Sequence, residues 1–170
     1  MRAAVVYESM FGNTRQVAKA VAAELSQSME VEMFEVGEAP SVIDKSIGLV
    51  VVGAPTHAFS LSRSSTRREA ALTAPRGLVS TQIGAREWLE SVEAVPGTPA
   101  IAFDTRMDSR FAGHAARAAT RRLRKAGFSV LASPASFLVE HSTGPLSTGE
   151  LDRAHVWAAE LAAATAAVTS

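Results

Sequence analysis

Short apolar runs alternate along the chain with segments in which apolar residues recur at helical spacing. Three of the runs are almost entirely apolar, which predicts strands buried on both faces of a sheet: AAVVY (3–7), IGLVVVGAP (47–55) and AIAFD (100–104). The run VEMFEV (31–36) alternates instead, which predicts a half-buried strand at a sheet edge. A further strand is expected in FSVLASPASFLVE (128–140), broken at Pro134 because proline donates no ladder hydrogen bond.

The segments between these runs predict helices. Apolar spacing indicates three of them, over residues 13–27, 83–92 and 112–126. A last helix follows STGE, where Ser147 and Glu150 have the spacing of a capping box. Thr66 and Glu69 have the same spacing and predict a short helix in the long connection 56–82.

Strands and helices that alternate in this way predict an α/β protein with a doubly wound parallel sheet and helices on both faces. The length of 170 residues suits one domain, and no internal repeat or low-complexity linker divides it. We therefore expect a single domain spanning residues 1–170.

Composition and charge narrow the functional classes. The chain has no cysteine, so disulfides, thiolate nucleophiles and iron–sulfur ligation are excluded, and a redox role requires an organic cofactor. Net charge is zero, but residues 106–125 contain seven cations and one acid. That run is either the solvated face of a helix or a docking patch for an acidic partner. Neither nucleic-acid nor membrane binding is expected, and the short N-terminal apolar run favours a cytoplasmic protein over a secreted one.

Ligands of doubly wound sheets bind beyond the carboxyl ends of the strands. The chain has no GxxxxGK[ST], GxGxxG or GxSxG motif, which excludes the usual nucleotide loops and the hydrolase nucleophile. The turn SMFGNT (9–14) remains, with two hydroxyls, an amide and a glycine directly before a helix. Unpaired N–H groups and the positive dipole end of that helix suit a phosphate. The alternative is an ordinary helix N-cap formed by Asn13.

The stretch YESMFGNTRQVAKAVA resembles the phosphate-binding loop and first helix of the flavodoxin family, and VVVGAPTHAFSLS resembles its second flavin loop. The stretch IAFDTRMDSRFAG lies where the third flavin loop belongs. The resemblance implies a five-stranded sheet in the order 2-1-3-4-5 and one non-covalently bound FMN used in electron transfer. The residues that would hold the FMN phosphate are Ser9, Met10, Phe11, Gly12, Asn13 and Thr14. Those that would lie along one side of the isoalloxazine are Pro55, Thr56, His57, Ala58 and Phe59. Those that would approach its other side and the pyrimidine end are Asp104, Thr105, Arg106 and Met107.

Departures from the family pattern concentrate in the third of these segments. DTRMDSR contains two arginines but no glycine and no aromatic residue, which predicts weakened FMN binding. Phe59, His57 and Phe111 are the candidates to contact the flavin, although Phe111 also fits a packing role at the start of a helix.

Three functions follow from this resemblance. The first is an FMN-binding electron carrier whose partner is a redox protein or a small-molecule acceptor. The second is an FMN-dependent oxidoreductase of the NAD(P)H/quinone type, for which the polar stretch 62–77 would shape the substrate site. The third is a flavodoxin-fold module without flavin that binds partners through its arginine face.

Overall fold

In the computed structural model of the chain, which describes residues 1–169, every strand pairs in parallel within one sheet. The strands are β1 (Arg2–Tyr7), β2 (Glu30–Glu35), β3 (Ile47–Pro55), β4 (Pro99–Met107), β5 (Ser129–Val130) and β6 (Ala135–Val139). Their order is β2-β1-β3-β4, and both β5 and β6 pair with β4. The predicted order 2-1-3-4-5 is confirmed, with the fifth position shared by two short strands on either side of Pro134.

Helices cover both faces of the sheet, as predicted. They are α1 (Asn13–Leu25), α2 (Ser64–Leu72), α3 (Ala85–Ser91), α4 (Ala115–Lys125) and α5 (Glu150–Thr169). The helices α1 and α5 pack on one face, and α3 and α4 pack on the other. Among residues 1–169, no helix combines the length and apolar character needed to cross a membrane.

The apolar runs in the sequence follow from this double coverage. Along β1, Ala3 and Val5 face α1 and α5, whereas Ala4 and Val6 face α3 and α4. Successive side chains of a strand point to opposite faces, so a strand covered on both sides must be apolar at every position. The alternating strand β2 pairs only with β1 and forms the sheet edge, as its pattern predicts.

Both predicted capping boxes are wrong. The helix α5 begins at Glu150, whose carboxylate accepts a hydrogen bond from the Leu138 N–H at 2.6 Å and thereby joins β6 to α5. Thr66 is the third residue of α2 rather than its cap, and its hydroxyl accepts a bond from the Arg63 N–H at 2.9 Å. The spacing alone does not show at which residue the helix begins.

The carboxyl ends of β1, β3, β4 and β6 meet at one edge of the sheet, because all of them are parallel. Gly53 near the end of β3 allows an aromatic residue to pack beside these ends. A Cβ at that position would lie 2.2 Å from the Phe103 ring, which stacks edge-on against Phe137 and Trp157. This rigid aromatic cluster supports the strand ends from the α1–α5 face.

Candidate functional site

A cavity of about 510 Å³ opens at this edge. Its volume is in the range of ordinary small-molecule sites. Four loops surround it: the first loop (residues 8–12), the second loop (56–63), the third loop (108–114) and the fourth loop (140–149). Thirteen of the fifteen predicted site residues line it: Ser9, Met10, Phe11, Asn13, Thr14, Pro55, Thr56, His57, Ala58, Phe59, Thr105, Arg106 and Met107.

The first loop turns around the hydroxyl of Ser9. This oxygen accepts hydrogen bonds from the N–H groups of Gly12 at 3.1 Å and of Arg15 at 3.3 Å. Gly12, not Asn13, is the N-cap of α1, with a left-handed φ of 96° and no side-chain cap. The Asn13 amide instead donates to the Thr143 carbonyl at 3.2 Å and so ties the fourth loop to α1. The ordinary Asn13 cap considered from the sequence is therefore wrong.

Backbone donors converge at this turn without protein acceptors. Within residues 1–169, the N–H groups that lack an acceptor here are those of Met10, Phe11, Asn13 and Thr14. The first N–H groups of a helix have no intrahelical partner, and the dipole places partial positive charge beside them. The turn is therefore able to bind an anion through its backbone.

Hydrogen bonds hold the first loop in place from both sides. The Thr14 and Thr105 hydroxyls lie 2.8 Å apart and join α1 to β4. On the other side, the Ser9 N–H donates to the Ser80 hydroxyl at 2.9 Å, and the Ser80 N–H donates to the Ser9 carbonyl at 2.8 Å. All four residues are buried, so these bonds position the backbone donors with little freedom.

The second loop forms a tight turn closed by reciprocal backbone bonds between His57 and Ser60, at 2.8 and 3.0 Å. Its two central residues, Ala58 and Phe59, have left-handed φ angles of 45° and 72°. Such φ values are usual for glycine and cost other residues roughly 1–3 kcal/mol each. The strained turn presents the Phe59 ring at the cavity with 69% of its surface exposed.

The third loop is held closed by Arg106, a residue that the resemblance places beside the flavin. The Arg106 guanidinium donates to the Gly113 carbonyl at 3.0 Å and to the Ser109 carbonyl at 2.7 Å, so it fixes this loop as well as lining the cavity. Phe111 is not a helix-start packing residue, because α4 begins at Ala115 and the ring is 73% exposed at the cavity. DTRMDSR has no aromatic residue, but Phe111, which follows it, brings a ring to the cavity from the same loop.

A glycine joins the second and third loops. Gly113 has a left-handed φ of 76°, and a Cβ there would lie 2.2 Å from the Phe59 carbonyl oxygen. The next N–H, of His114, donates to that oxygen at 3.2 Å. The third loop therefore does use a glycine, beyond the DTRMDSR stretch, and uses it to bring the two phenylalanine-bearing loops together.

Two predicted residues lie outside the cavity wall. Gly12 shapes the first loop without lining the cavity. Asp104 is fully buried, and its carboxylate accepts a hydrogen bond from the Ala116 N–H at 2.9 Å, at the beginning of α4. Burial raises the pKa of Asp104, although this bond opposes the shift. This bond anchors the beginning of α4 behind the site, and Asp104, unlike Thr105, does not line the cavity.

The cavity wall also contains residues that the sequence did not assign to a flavin, from α2 and from near the fourth loop. The additional lining residues are Thr66, Glu69, Ala70 and Thr73 of α2, Val139 and Ser142 near the fourth loop, and Ala112; Phe111, already a candidate flavin contact, lines it too. Because the cavity opens at the carboxyl ends of parallel strands, the end of β6 indicates the fourth loop. The sequence indicates the α2 wall only through the polar stretch 62–77, without identifying the residues that line the cavity.

A buried polar network fixes α2 beneath the site. Glu8, the first residue of the first loop, is fully buried and accepts hydrogen bonds from the Ser62 hydroxyl and the Ala85 N–H. Burial raises the Glu8 pKa, and the same two bonds oppose the shift. On α2, Arg67 donates to the Ser62 hydroxyl at 2.9 Å and pairs with Glu87 at 2.7 Å.

The second loop also brings an imidazole to the cavity wall. Burial lowers the pKa of His57, and the nearby Arg67 charge adds to the effect. His57 is therefore neutral at physiological pH, and it contributes a hydrogen-bonding group rather than a charge to the cavity wall.

Comparisons with known proteins place this architecture among flavodoxin structures. An archaeal flavodoxin is 20% identical with a TM-score of 0.67, covering 97% of this chain and 99% of its own. Flavodoxin 1 from Bacillus cereus is 16% identical with a TM-score of 0.68, covering 94% and 96%. A WrbA-like flavodoxin from Agrobacterium tumefaciens is 15% identical with a TM-score of 0.57, covering 96% of both chains. No family model and no curated protein matches the sequence. The structural likeness establishes the flavodoxin-like fold.

Proposed function

We propose that this chain, which has a flavodoxin-like fold, binds one FMN and carries electrons. The observation that carries the proposal is the set of backbone N–H groups without acceptors in the first loop and the first turn of α1, whose residues line a cavity bordered by two exposed phenylalanines. Anion-binding donors and apolar ring contacts are the two features that a flavin mononucleotide requires of a protein.

The first loop would hold the phosphate. Its four N–H groups without acceptors belong to residues that line the cavity, and the Ser9 hydroxyl, which accepts two backbone bonds, still has its own hydrogen to donate. A Cβ at Gly12 would meet nothing closer than the Arg15 guanidinium at 3.8 Å, so the backbone is open to close approach of a ligand. The residues present fit a phosphate without a lysine.

Phe59 and Phe111 would cover the isoalloxazine from two different loops. Their exposed fractions of 69% and 73% leave most of each ring free to contact a ligand. Gly113 and Arg106 hold these loops in position, so neither loop has to be ordered at the time of binding. The bound FMN supplies reversible one- and two-electron chemistry, and the two rings exclude water from it.

A carrier is favoured because aromatic rings from both loops restrict access of a hydride donor to the flavin. A second candidate, an FMN-dependent oxidoreductase of the NAD(P)H/quinone type, is supported by α2. Its residues Thr66, Glu69 and Thr73 extend the cavity with polar groups that a flavin alone does not need.

The two candidates are separated by the electron donors that the FMN-loaded protein accepts. A carrier is reduced and reoxidised by one-electron reagents and gives no steady NAD(P)H oxidation with quinones. Replacing Glu69 and Thr73 by alanine tests the same point, because it should leave one-electron exchange unchanged. Quinone-dependent NAD(P)H turnover that these substitutions abolish would establish the oxidoreductase instead.

A further inference from the structure

The outer face of α4 is entirely cationic. Every residue of this helix that is not buried is a cation: Arg117, Arg121, Arg122, Arg124 and Lys125. The buried face consists of alanines, Thr120 and Leu123 packed on the sheet. The structure therefore presents a continuous row of positive charge about 12 Å long, at 1.5 Å per residue.

Contacts within the protein do not account for this row. In the part of the chain that the structure describes, one ion pair involves it, between Arg122 and Glu90 at 3.6 Å. Arg117, Arg121 and Lys125 follow one another at a spacing of four residues, where like charges repel and destabilise a helix. The helix dipole favours cations in the last turn, which explains Arg124 and Lys125 but not Arg117 or Arg121.

A cleft lies beside this row, between α3 and α4. It has a volume of about 510 Å³, and apolar atoms of Leu89, Val92 and Ala126 contribute to its lining. Arg121, Arg122 and Lys125 supply its charge, together with the single acid Glu90. The cleft thus combines an apolar pocket with a cationic rim, the arrangement of a protein docking site.

Neighbouring cations extend the same surface. Burial lowers the pKa of Arg86 on α3, and the charges of Arg122 and Arg63 lower it further. The guanidinium groups are therefore close enough for the charge of one to disfavour the protonated form of another. An anionic partner would relieve this repulsion.

One end of the row reaches the mouth of the candidate site. Arg117 lies in the first turn of α4, directly after the third loop. In that loop, Arg110 is exposed and its guanidinium lies 5.6 Å from the Phe111 ring centre. A partner bound along α4 would therefore also lie beside the ring proposed to cover the flavin.

We infer that the outer face of α4, with its adjoining cleft, docks an acidic redox protein whose electron-transfer centre then faces the Phe111 edge of the cavity. The inference rests on the proposed function for the redox role alone. A protein fits this surface better than a nucleic acid, because the whole chain has zero net charge and α4 carries no aromatic residue to stack on bases. The cleft provides room for an apolar side chain of the partner.

Fluorescently labelled poly-L-glutamate is the probe for this surface. Its dissociation constant is measured at about 0.01 M and about 0.15 M salt, where screening lengths differ severalfold. The native chain is compared with Arg121→Glu/Lys125→Glu. The matched control is Lys19→Glu/Lys45→Glu, which changes two exposed cations away from α4 and alters net charge by the same amount.

The α4 variant should bind the probe about tenfold more weakly than the native chain at low salt, and the control about as well as the native chain. Arg121→Gln/Lys125→Gln gives a smaller loss of the same kind if charge reversal disturbs folding. Equal weakening in the control, no binding by the native chain, or tighter binding of a DNA duplex than of the probe would overturn the docking surface. Probe binding requires no flavin, so failure of FMN to bind would refute the proposed function and leave this measurement intact.

Discussion

Replacing Gly113 by alanine tests the joining of the second and third loops. The new Cβ would lie 2.2 Å from the Phe59 carbonyl oxygen and 2.4 Å from the Phe59 Cα, both backbone atoms that cannot rotate away. The loops must separate, and both phenylalanines then move. Gly97 provides a matched control, because it has a similar φ of 88° but a Cβ added there would meet no atom within 4 Å.

The magnitudes differ between the two sites. A left-handed alanine costs roughly 1–2 kcal/mol, part of which is offset by the stiffer unfolded chain. Gly97→Ala should therefore lower the free energy of unfolding by about 1 kcal/mol. Gly113→Ala adds loss of the bond from the His114 N–H to the Phe59 carbonyl, about 1 kcal/mol, and the displacement of the loops. We expect a total loss of about 2–3 kcal/mol.

The effect on FMN separates the two variants further. If each displaced ring contributes about 0.5–1.5 kcal/mol, Gly113→Ala should weaken FMN binding by about 5- to 150-fold. Gly97→Ala, at the opposite end of β4, should leave it unchanged. Urea denaturation gives the stabilities, and quenching of FMN fluorescence gives the affinities. Equal stabilities, or native FMN affinity in Gly113→Ala, would refute the role assigned to this glycine.

Three further predictions concern the first loop, the buried acid and the third loop. Thr14→Val should lose about 1–3 kcal/mol in urea denaturation, because it leaves the buried Thr105 hydroxyl unpaired, and adding Thr105→Val should recover most of that loss. Burial raises the native pKa of Glu8 above its unfolded value of about 4.3. The stabilisation that comes from protonated Glu8 is therefore fully present below that pH. It is lost as the pH rises through the native pKa, and the free energy of unfolding falls by no more than about 1.4 kcal/mol per pH unit. When urea denaturation is repeated across this pH range, Glu8→Gln should lack this pH dependence of the free energy of unfolding. A pH profile identical to that of the native chain would contradict the role assigned to Glu8. Phe111→Ala should change stability by less than about 0.5 kcal/mol while weakening FMN roughly 2- to 13-fold, whereas a large loss of stability would assign the ring to packing.

The sheet could be predicted because its signal is local. Strands covered on both faces must be apolar throughout, so β1 and β3 were visible as runs, and β3 matches its predicted bounds of 47–55. The alternating β2 was equally visible as an edge strand. The sequence does not indicate that β4 continues past Asp104. Its last residues, Thr105, Arg106 and Met107, are polar or exposed, yet they continue the ladder beside β6.

The site was predictable only where a turn has its own residue pattern. SMFGNT contains a glycine and hydroxyls directly before a helix, and its location follows from the sheet. The contact between Gly113 and Phe59 joins residues far apart in the sequence, and the Arg106 bonds depend on how the third loop closes. The cavity wall formed by α2 depends on tertiary packing in the same way, since Arg67 and Glu87 hold that helix in place.

Comparison of FMN with riboflavin tests the central claim most directly, because the two ligands share the ring and differ by the phosphate. The protein, freed of any bound flavin, is titrated with each ligand by fluorescence quenching. Four free N–H groups in the first loop and the first turn of α1, each a charge-assisted donor to a phosphate, predict that FMN binds at least about a hundredfold more tightly than riboflavin. Equal affinities, or no binding of either ligand, would contradict the account.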